Sequence, residues 1–351
     1  MVAERKRRGS RELAIGVAVL LGWLLAVLPA MARTQLHAGS WKAACSMDGE
    51  LPAATRERAE AAALGLFRSV VAGDTTGARD ALSSEAQSAI PQAAFDQTVQ
   101  AAHHLGPFDP GKVQHVYLIA ASGPEPLPKM GCGKSARDPD HVELSMRALP
   151  QQVHVQISAH SSAADWSVFV WLVPQGDAWK ALSIDFALSS LGGRSSRDLQ
   201  RLAEEQSGRG HTVNAALLYK AAQGVSDRGP NAVFDWKKAL DQEFQSFTKP
   251  AEFAGEGPYA WVLGGKTYSI EAAYLAVSPP GLAIVLNRRF GNWPGEAAAD
   301  LDNKEFGNAL LQLHPELFDG FTAVIVNAIK VDDTVGLTST FRLGGAPGPA
   351  G

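Results

Sequence analysis

The sequence has few of the features that mark an enzyme class or a nucleic-acid-binding protein. Only 19% of its 351 residues are charged, and the net charge of −4 gives no electrostatic reason to expect a nucleic-acid partner. It contains no Gly-x-Ser-x-Gly elbow, no His-Glu-x-x-His motif and no paired cysteine motif. The sequence therefore contains no motif that indicates hydrolase activity or zinc binding, and we predict no cofactor and no metal site.

Three weaker features are also better explained without a ligand. Gly131 to Ser135 resembles the end of a phosphate-binding loop, but Pro128 stands where that loop needs a glycine with a free amide. His103 and His104 are adjacent, so they point in different directions on a helix. His154 and His160 share a strand face but lie about 20 Å apart in an extended chain.

One long apolar run stands out, and it lies at the N-terminus. Residues 13–32 carry no charge and follow five basic residues, which are Arg5, Lys6, Arg7, Arg8 and Arg11. Lys and Arg resist translocation, so the N-terminus is expected to stay cytoplasmic while the rest crosses the membrane. Ala30 and Ala32 fit a signal-peptide cleavage site. About 20 apolar residues also suffice for an uncleaved membrane anchor.

Both interpretations put the body of the chain outside the cytoplasm, as a cell-envelope protein whose soluble part lies on the periplasmic or extracytoplasmic side. The sequence has only two cysteines, Cys45 and Cys132, and both follow the apolar segment. In an oxidising compartment two thiols tend to pair, so we predict a Cys45–Cys132 disulfide. The alternative is two free thiols too far apart to bridge.

After a predicted linker at 33–54, the chain is patterned first for helices and then for strands. Apolar spacing and breakers predict helices over 55–73, 75–85 and 92–104. Alternating apolar residues predict strands at 112–121, 141–147, 153–160, 166–173 and 180–188, with a long loop at 123–139. Three helices followed by an antiparallel meander indicate an α+β domain.

This segment carries residues typical of a known family. The pattern begins with Leu66-Phe67, Ala72-Gly73-Asp74, Ala78, Leu82-Ser83 and Phe95, and it ends in the hairpin Gly176-Asp-Ala-Trp-Lys180. Residues 55–190 thus resemble the nuclear transport factor two-like superfamily, which includes ketosteroid isomerase and SnoaL-like proteins. The resemblance implies a curved antiparallel sheet wrapped against helices, which forms a cone with an interior pocket.

An enzyme of that kind would need a pocket carboxylate with a raised pKa and a hydrogen-bond donor. Asp185 is the candidate catalytic residue, because it lies mid-strand between Ile184 and Phe186. If Leu182, Ile184 and Phe186 face the helices, Asp185 is on the outer side and inert. If the sheet is reversed, Asp185 lines the pocket with Ser183.

The remainder is predicted to be a helical connector at 191–249 and a second α+β domain at 250–343. The connector's helices are predicted at 196–207, 212–225 and 232–247. The last domain has predicted strands at 259–263, 268–277, 282–288, 321–331 and 336–343, and a helix at 303–313. The Gly- and Pro-rich tail, 344–351, is predicted to be disordered.

These observations favour a non-catalytic envelope protein that binds a small apolar ligand or a protein partner and contacts the membrane through residues 13–32. An enzyme with isomerase-like or dehydratase-like acid–base chemistry in the cone pocket is the first alternative. An envelope scaffold that uses the helices near Tyr219 and Trp236 as an interaction surface is the second. A carboxylate in the lining of the pocket would favour the enzyme, whereas a lining of apolar groups alone would favour the binding protein.

Overall fold

The computed structural model describes residues 42–122, 128–133, 140–161, 164–255, 257–278 and 281–344. The apolar segment 13–32, with Ala30 and Ala32, lies outside these ranges, as do Lys134, Ser135 and nearly all of the tail 344–351. In the ranges described, none of the helices combines the length and the apolar character that crossing a membrane requires. The described chain is mixed α+β, and it divides into two compact units.

The first unit contains the described residues up to Leu188 together with Asp227–Trp236. Its helices are α1 (Ala53–Ala72), α2 (Thr75–Asp80), α3 (Ser84–Ala89) and α4 (Gln92–His103). Its strands are β1 (Lys42–Met47), β2 (Lys112–Ser122), β3 (Lys129–Cys132), β4 (Val142–Ser145), β5 (Gln151–His160), β6 (Asp165–Gln175), β7 (Ala178–Leu188) and β8 (Ala232–Phe234). The predicted mixture of helices and strands is therefore confirmed. The strands do not form a simple meander after the helices, because β1 precedes them in the chain and β3 and β4 belong to a second sheet.

Two sheets build the first unit. One has five strands in the order β1-β2-β5-β6-β7, and every neighbouring pair is antiparallel. The other has the order β3-β4-β8 and is also antiparallel. Helix α1 buries Ala59, Ala63, Leu66 and Phe67, which recur at helical spacing, in a core shared with the five-stranded sheet. It ends where Gly73 adopts a left-handed conformation with φ of 75°.

Three strands of this unit were not predicted. Strand β1 falls in the segment interpreted as a linker, and it pairs with β2 along its whole length. Strand β3 falls in the predicted long loop at 123–139. Strand β8 occupies the first residues of the helix predicted at 232–247, which in fact begins at Asp235. Each of these strands is six residues or shorter, too short to show a clear alternation.

The second unit contains Ser189–Ser226 and the described residues from Lys237 onward. Its helices are α5 (Ser196–Gly208), α6 (Thr212–Ser226), α7 (Asp235–Ser246), whose first two residues belong to the first unit, and α8 (Glu296–Leu313). Its strands are β9 (Tyr259–Leu263), β10 (Lys266–Ser278), β11 (Gly281–Arg289), β12 (Ala323–Ile329) and β13 (Val335–Arg342). The segment 191–249, interpreted as a connector, is thus divided between the two units.

The sheet of the second unit has the order β13-β12-β11-β10-β9. Strands β11 and β12 are parallel, and α8 lies between them in the chain. Parallel neighbours need such a crossover, whereas the hairpins on either side give antiparallel pairs. Helix α8 packs against β12 and β13, and α6 packs against β10.

Candidate functional site

The helix-facing side of the five-stranded sheet is filled with apolar side chains. Phe67 is fully buried there, with its ring centroid 6.0 Å from that of Phe108 and 6.1 Å from that of Phe186. Phe108 also contacts Trp166, with ring centroids 6.0 Å apart. One polar contact lies beside these rings, since Trp166 Nε1 donates to the buried Ser161 Oγ at 3.0 Å. Aromatic and other apolar side chains therefore occupy most of this interior.

Asp185 lies on the other side of the sheet. Ile184 and Phe186 pack in the helix-side core, so the intervening Asp185 points away from the helices. The predicted face needs one correction, because a β-bulge leaves Leu182 unpaired opposite Trp171 and Leu172. As a result Ala181, and not Leu182, shares the buried face with Ile184.

The outer side is partly covered at Asp185, because residues 227–236 cross over it and leave the residue only partly exposed. We call this segment the strap. Asn231 Nδ2 donates to Asp185 Oδ2 at 3.2 Å and to Ser183 Oγ at 3.1 Å. Ser183 Oγ in turn lies 3.4 Å from Asp185 Oδ2. The sequence-based expectation placed Asp185 on an outer surface, and it did not anticipate that residues 227–236 lie over that surface.

Gly229 allows the strap to come this close. Its φ is 84°, a conformation that glycine adopts without strain. A Cβ at this position would lie 2.8 Å from Asp185 Cβ, which is nearer than carbon atoms pack. Neither Gly229 nor Asn231 was predicted from the sequence to be a site residue. Their only local signal is the turn-like run Gly229-Pro230-Asn231.

Burial changes the acidity of Asp185. Loss of hydration raises the pKa of its carboxyl to about 6, and the negative charge of Asp227 adds to this rise. The hydrogen bonds from Asn231 and Ser183 oppose it because they favour the ionised form. The neighbouring Arg228 is buried, and desolvation lowers its pKa to about 10. Its guanidinium Nη1 donates to the Leu188 carbonyl at 2.8 Å.

A second apolar core lies beyond this sheet face. Phe169, Tyr117 and Ile119 from the five-stranded sheet pack with residues of the three-stranded sheet, among them Leu144 and Phe234. The Phe169 and Phe234 rings are 6.1 Å apart. The strap therefore covers an aromatic surface as well as Asp185.

The sulfur-containing residues of the described chain also collect in this core. Cys45 and Cys132 are joined by a disulfide with their Cα atoms 5.5 Å apart. Met47 and Met130 pack against the same core, and Met146 is buried in it. The disulfide ties β1 to β3, two short strands that lie in different sheets.

The histidines singled out in the sequence have separate partners, although the His103 and His104 ring centroids lie 5.8 Å apart. His103 Nδ1 lies 2.8 Å from the Val71 carbonyl, and His104 Nδ1 lies 2.5 Å from the Gln100 carbonyl. His160 is exposed and pairs with Asp165. Within the described ranges, no three His, Cys, Asp or Glu side chains are grouped in a way that could hold a metal ion.

His154 has a different environment from the other histidines. It is fully buried and stacks on Trp171 with ring centroids 5.1 Å apart. Its Nε2 lies 2.8 Å from the Ser145 carbonyl, and burial lowers its pKa to about 4. His154 is therefore neutral over the physiological range and serves as part of the packing between the two sheets.

Comparison with known proteins adds no identification, since no family model, curated protein or solved structure matches this chain. The class defined by the observed structure is a mixed α+β protein of two units.

Replacing Asp185 with asparagine is expected to remove a pH-dependent part of the stability. The folded-state pKa of about 6 lies above the ordinary value of 3.8, so the folded protein binds this proton more tightly. The resulting stabilisation is complete below pH 3.8 and is lost as the pH rises through 6. Between pH 4 and pH 8 the wild-type free energy of unfolding should fall by on the order of 2 kcal/mol relative to Asp185→Asn. Urea unfolding of both proteins at each pH measures this difference, and parallel curves would contradict it.

Proposed function

We propose that this protein is an exported, non-catalytic binding protein of the cell envelope, held in or sent through the membrane by residues 13–32. The observation that carries the non-catalytic part is the interior around Phe67, Phe108 and Trp166, which is occupied by aromatic and other apolar side chains. The Cys45–Cys132 disulfide supports the exported part, because such bonds persist in oxidising compartments.

The proposal includes the resemblance of residues 55–190 to the nuclear transport factor two-like superfamily. Helices α1 to α4 precede an antiparallel sheet and pack on one of its faces, which supports that resemblance. In members of that superfamily the cone between helices and sheet encloses a pocket. Here that space is occupied by the protein's own aromatic rings, which favours a protein partner over a small apolar ligand.

The surface of the second unit supports binding to a protein. Its exposed large apolar side chains are Val262, Leu301, Leu313, Phe318, Val331 and Val335. Single exposed apolar residues are ordinary, but all six belong to this unit. By contrast, Tyr219 is buried and donates to Glu243 Oε1 at 2.5 Å, so it is not an exposed residue of a scaffold surface.

A crosslinking experiment on intact cells tests the proposed function. A membrane-impermeant amine crosslinker is expected to give a discrete heavier adduct of the full chain, because the soluble part would be outside the cytoplasm and bound to a partner. The adduct should persist in Asp185→Asn and weaken when Val262→Glu and Leu301→Glu are combined, since glutamate adds charge without adding a reactive amine. Modification of the chain only after lysis would contradict export, and an adduct unaffected by the double change would contradict binding through this surface.

The competing function is acid–base catalysis by Asp185. One observation favours it, namely the raised pKa of a carboxyl group beside the Ser183 hydroxyl. Asn231 and Gly229 occupy the space directly over that carboxylate, which leaves a substrate no position within reach while the strap is closed. Loss of the chain's cellular function in Asp185→Asn, with export and partner crosslinking intact, would favour the enzyme.

A further inference from the structure

The strap is fixed to the sheet at a small number of points. Arg228 donates to the Leu188 carbonyl, Asn231 donates to Asp185 and Ser183, and β8 pairs with β4 over Ala232–Phe234. The backbone of Asn231 also accepts from the Ser145 amide at 2.9 Å. Asp235 adds an anchor at the C-terminal end of the strap, because its amide donates to the His141 carbonyl at 3.1 Å and its side chain pairs with His141, and Ala232 and Phe234 are buried in the second core. The contacts of Gly229 and Asn231 with Asp185 hold the N-terminal part of the strap.

From this arrangement we propose that the strap is a pH-sensitive cover, latched by Asp185, which closes over the Phe169 face of the sheet in acid and opens more often at neutral pH. The neutral carboxyl can be buried under Gly229 and Asn231 at little cost, whereas the carboxylate loses hydration there. Ionisation therefore favours the state in which the strap has moved away and water reaches Asp185.

The charged groups around Asp185 do not offset this cost. On the strap, Asp227 is negative and adds to the repulsion. Arg228 is directed to the Leu188 carbonyl and lies over the Trp236 ring at 5.7 Å. Strand β6 places Phe169 opposite Asp185. Near β4, His141 pairs with Asp235, and Glu143 lies 4.0 Å from Lys129.

Opening the strap would also expose aromatic surface. Phe234 would move away from Phe169. The sheet face around Phe169 also carries Tyr117 and Ile119, and these three residues of the sheet are buried in the closed state. The idea that a partner binds this exposed face rests on the proposed binding function. The pH-dependent opening of the strap does not rest on it, so an experiment can contradict either one without contradicting the other.

Amide hydrogen exchange of the full-length protein tests the cover directly. With pKa values of about 6 closed and 3.8 open, linkage predicts about tenfold more frequent opening at pH 7.5 than at pH 5. Protection factors, corrected for the chemical exchange rate, should therefore fall about tenfold for Ala232–Phe234. Amides of residues 153–157 in β5 should not change, because that strand is central in the sheet.

Three variants complete the experiment. Asp185→Asn should keep the same protection at both pH values, whereas Asp177→Asn, at an exposed turn, should behave as wild type. Gly229→Ala should lower protection of the strap at both pH values, because its Cβ meets Asp185. Equal strap protection at pH 5 and pH 7.5 in wild type would overturn the proposal. A tenfold fall that persists in Asp185→Asn would also overturn it.

Discussion

Replacing Arg288 with alanine is expected to lower the free energy of unfolding of the second unit by about 3–5 kcal/mol. Arg288 lies on β11 and is 5% exposed. Its Nη2 donates to Asp302 Oδ2 at 2.5 Å, and its Nη1 donates to Asn303 Oδ1 at 2.8 Å. Truncation leaves the fully buried Asn303 Oδ1 without its charged donor, whereas Asp302 keeps an ion pair with Lys266 at 2.5 Å. Native-state hydrogen exchange of α8 and β11 amides measures the loss.

Aromatic rings make the loss larger. The guanidinium of Arg288 lies 4.6 Å from the Phe306 ring centroid and 4.7 Å from that of Tyr268. A desolvated cation over aromatic rings adds on the order of 2 kcal/mol. Arg288→Ala therefore also removes packing at the contact between α8 and the sheet.

The adjacent Arg289 provides a matched control. It forms ion pairs with Glu271 and Asp333, but its side chain is 32% exposed. Solvent screens such pairs, so Arg289→Ala should cost much less stability than Arg288→Ala. Arg288→Met keeps part of the packing volume and should lie between the two. Equal losses for Arg288→Ala and Arg289→Ala would show that the buried network does not hold α8 in place.

Removing the disulfide is expected to lower the stability of the first unit by about 4 kcal/mol. Cys45 and Cys132 are separated by 87 residues, so the bond closes a long loop and restricts the unfolded chain. The double change Cys45→Ala and Cys132→Ala avoids leaving a buried polar atom at Cys132, which is 1% exposed. Urea unfolding of the oxidised wild type and the double variant, both without reductant, measures the difference.

Two controls separate the bond from the packing of the sulfur atoms. Wild type unfolded in reductant should lose about the same stability as the double variant, and the double variant should be insensitive to reductant. Loss of protection should be largest in β1 and β3, which the bond joins. A double variant as stable as the oxidised wild type would contradict the contribution of the disulfide.

The long elements could be predicted because their patterns are local. The apolar spacing of Ala59, Ala63 and Leu66 repeats over several turns of α1, and apolar and polar residues alternate along β5. Strand β6 buries eight consecutive residues from Trp166 to Val173. Such a run indicates a strand that is covered on both faces. It is therefore the one feature of the sequence that indicates the second core.

The cover over Asp185 could not be predicted because its contacts are not local. Asn231 is 46 residues from Asp185 in the chain, and β8 pairs with β4 from about 90 residues away. A three-residue strand before a helix has no periodicity of its own, so 232–234 were assigned to the helix that follows. The side on which Asp185 lies depended on which face of β7 meets the helices, and local alternation does not determine that.

The buried cation on β11 was missed for a related reason. Arg288 ends the strand predicted at 282–288, and a charged residue at a strand end usually reaches solvent. Only the packing of Phe306, Tyr268 and Asp302 around its guanidinium shows that it is internal.

The proposed export requires that the chain after residue 32 resides in an oxidising compartment. Cells that express the full chain are lysed in denaturant with N-ethylmaleimide, and the intact mass of the protein is measured with and without prior reduction. The account predicts no maleimide on Cys45 or Cys132 until the sample is reduced, then two, with the protein in the membrane or exported fraction. Two maleimides without reduction, on an unprocessed chain in the cytosolic fraction, would contradict the account.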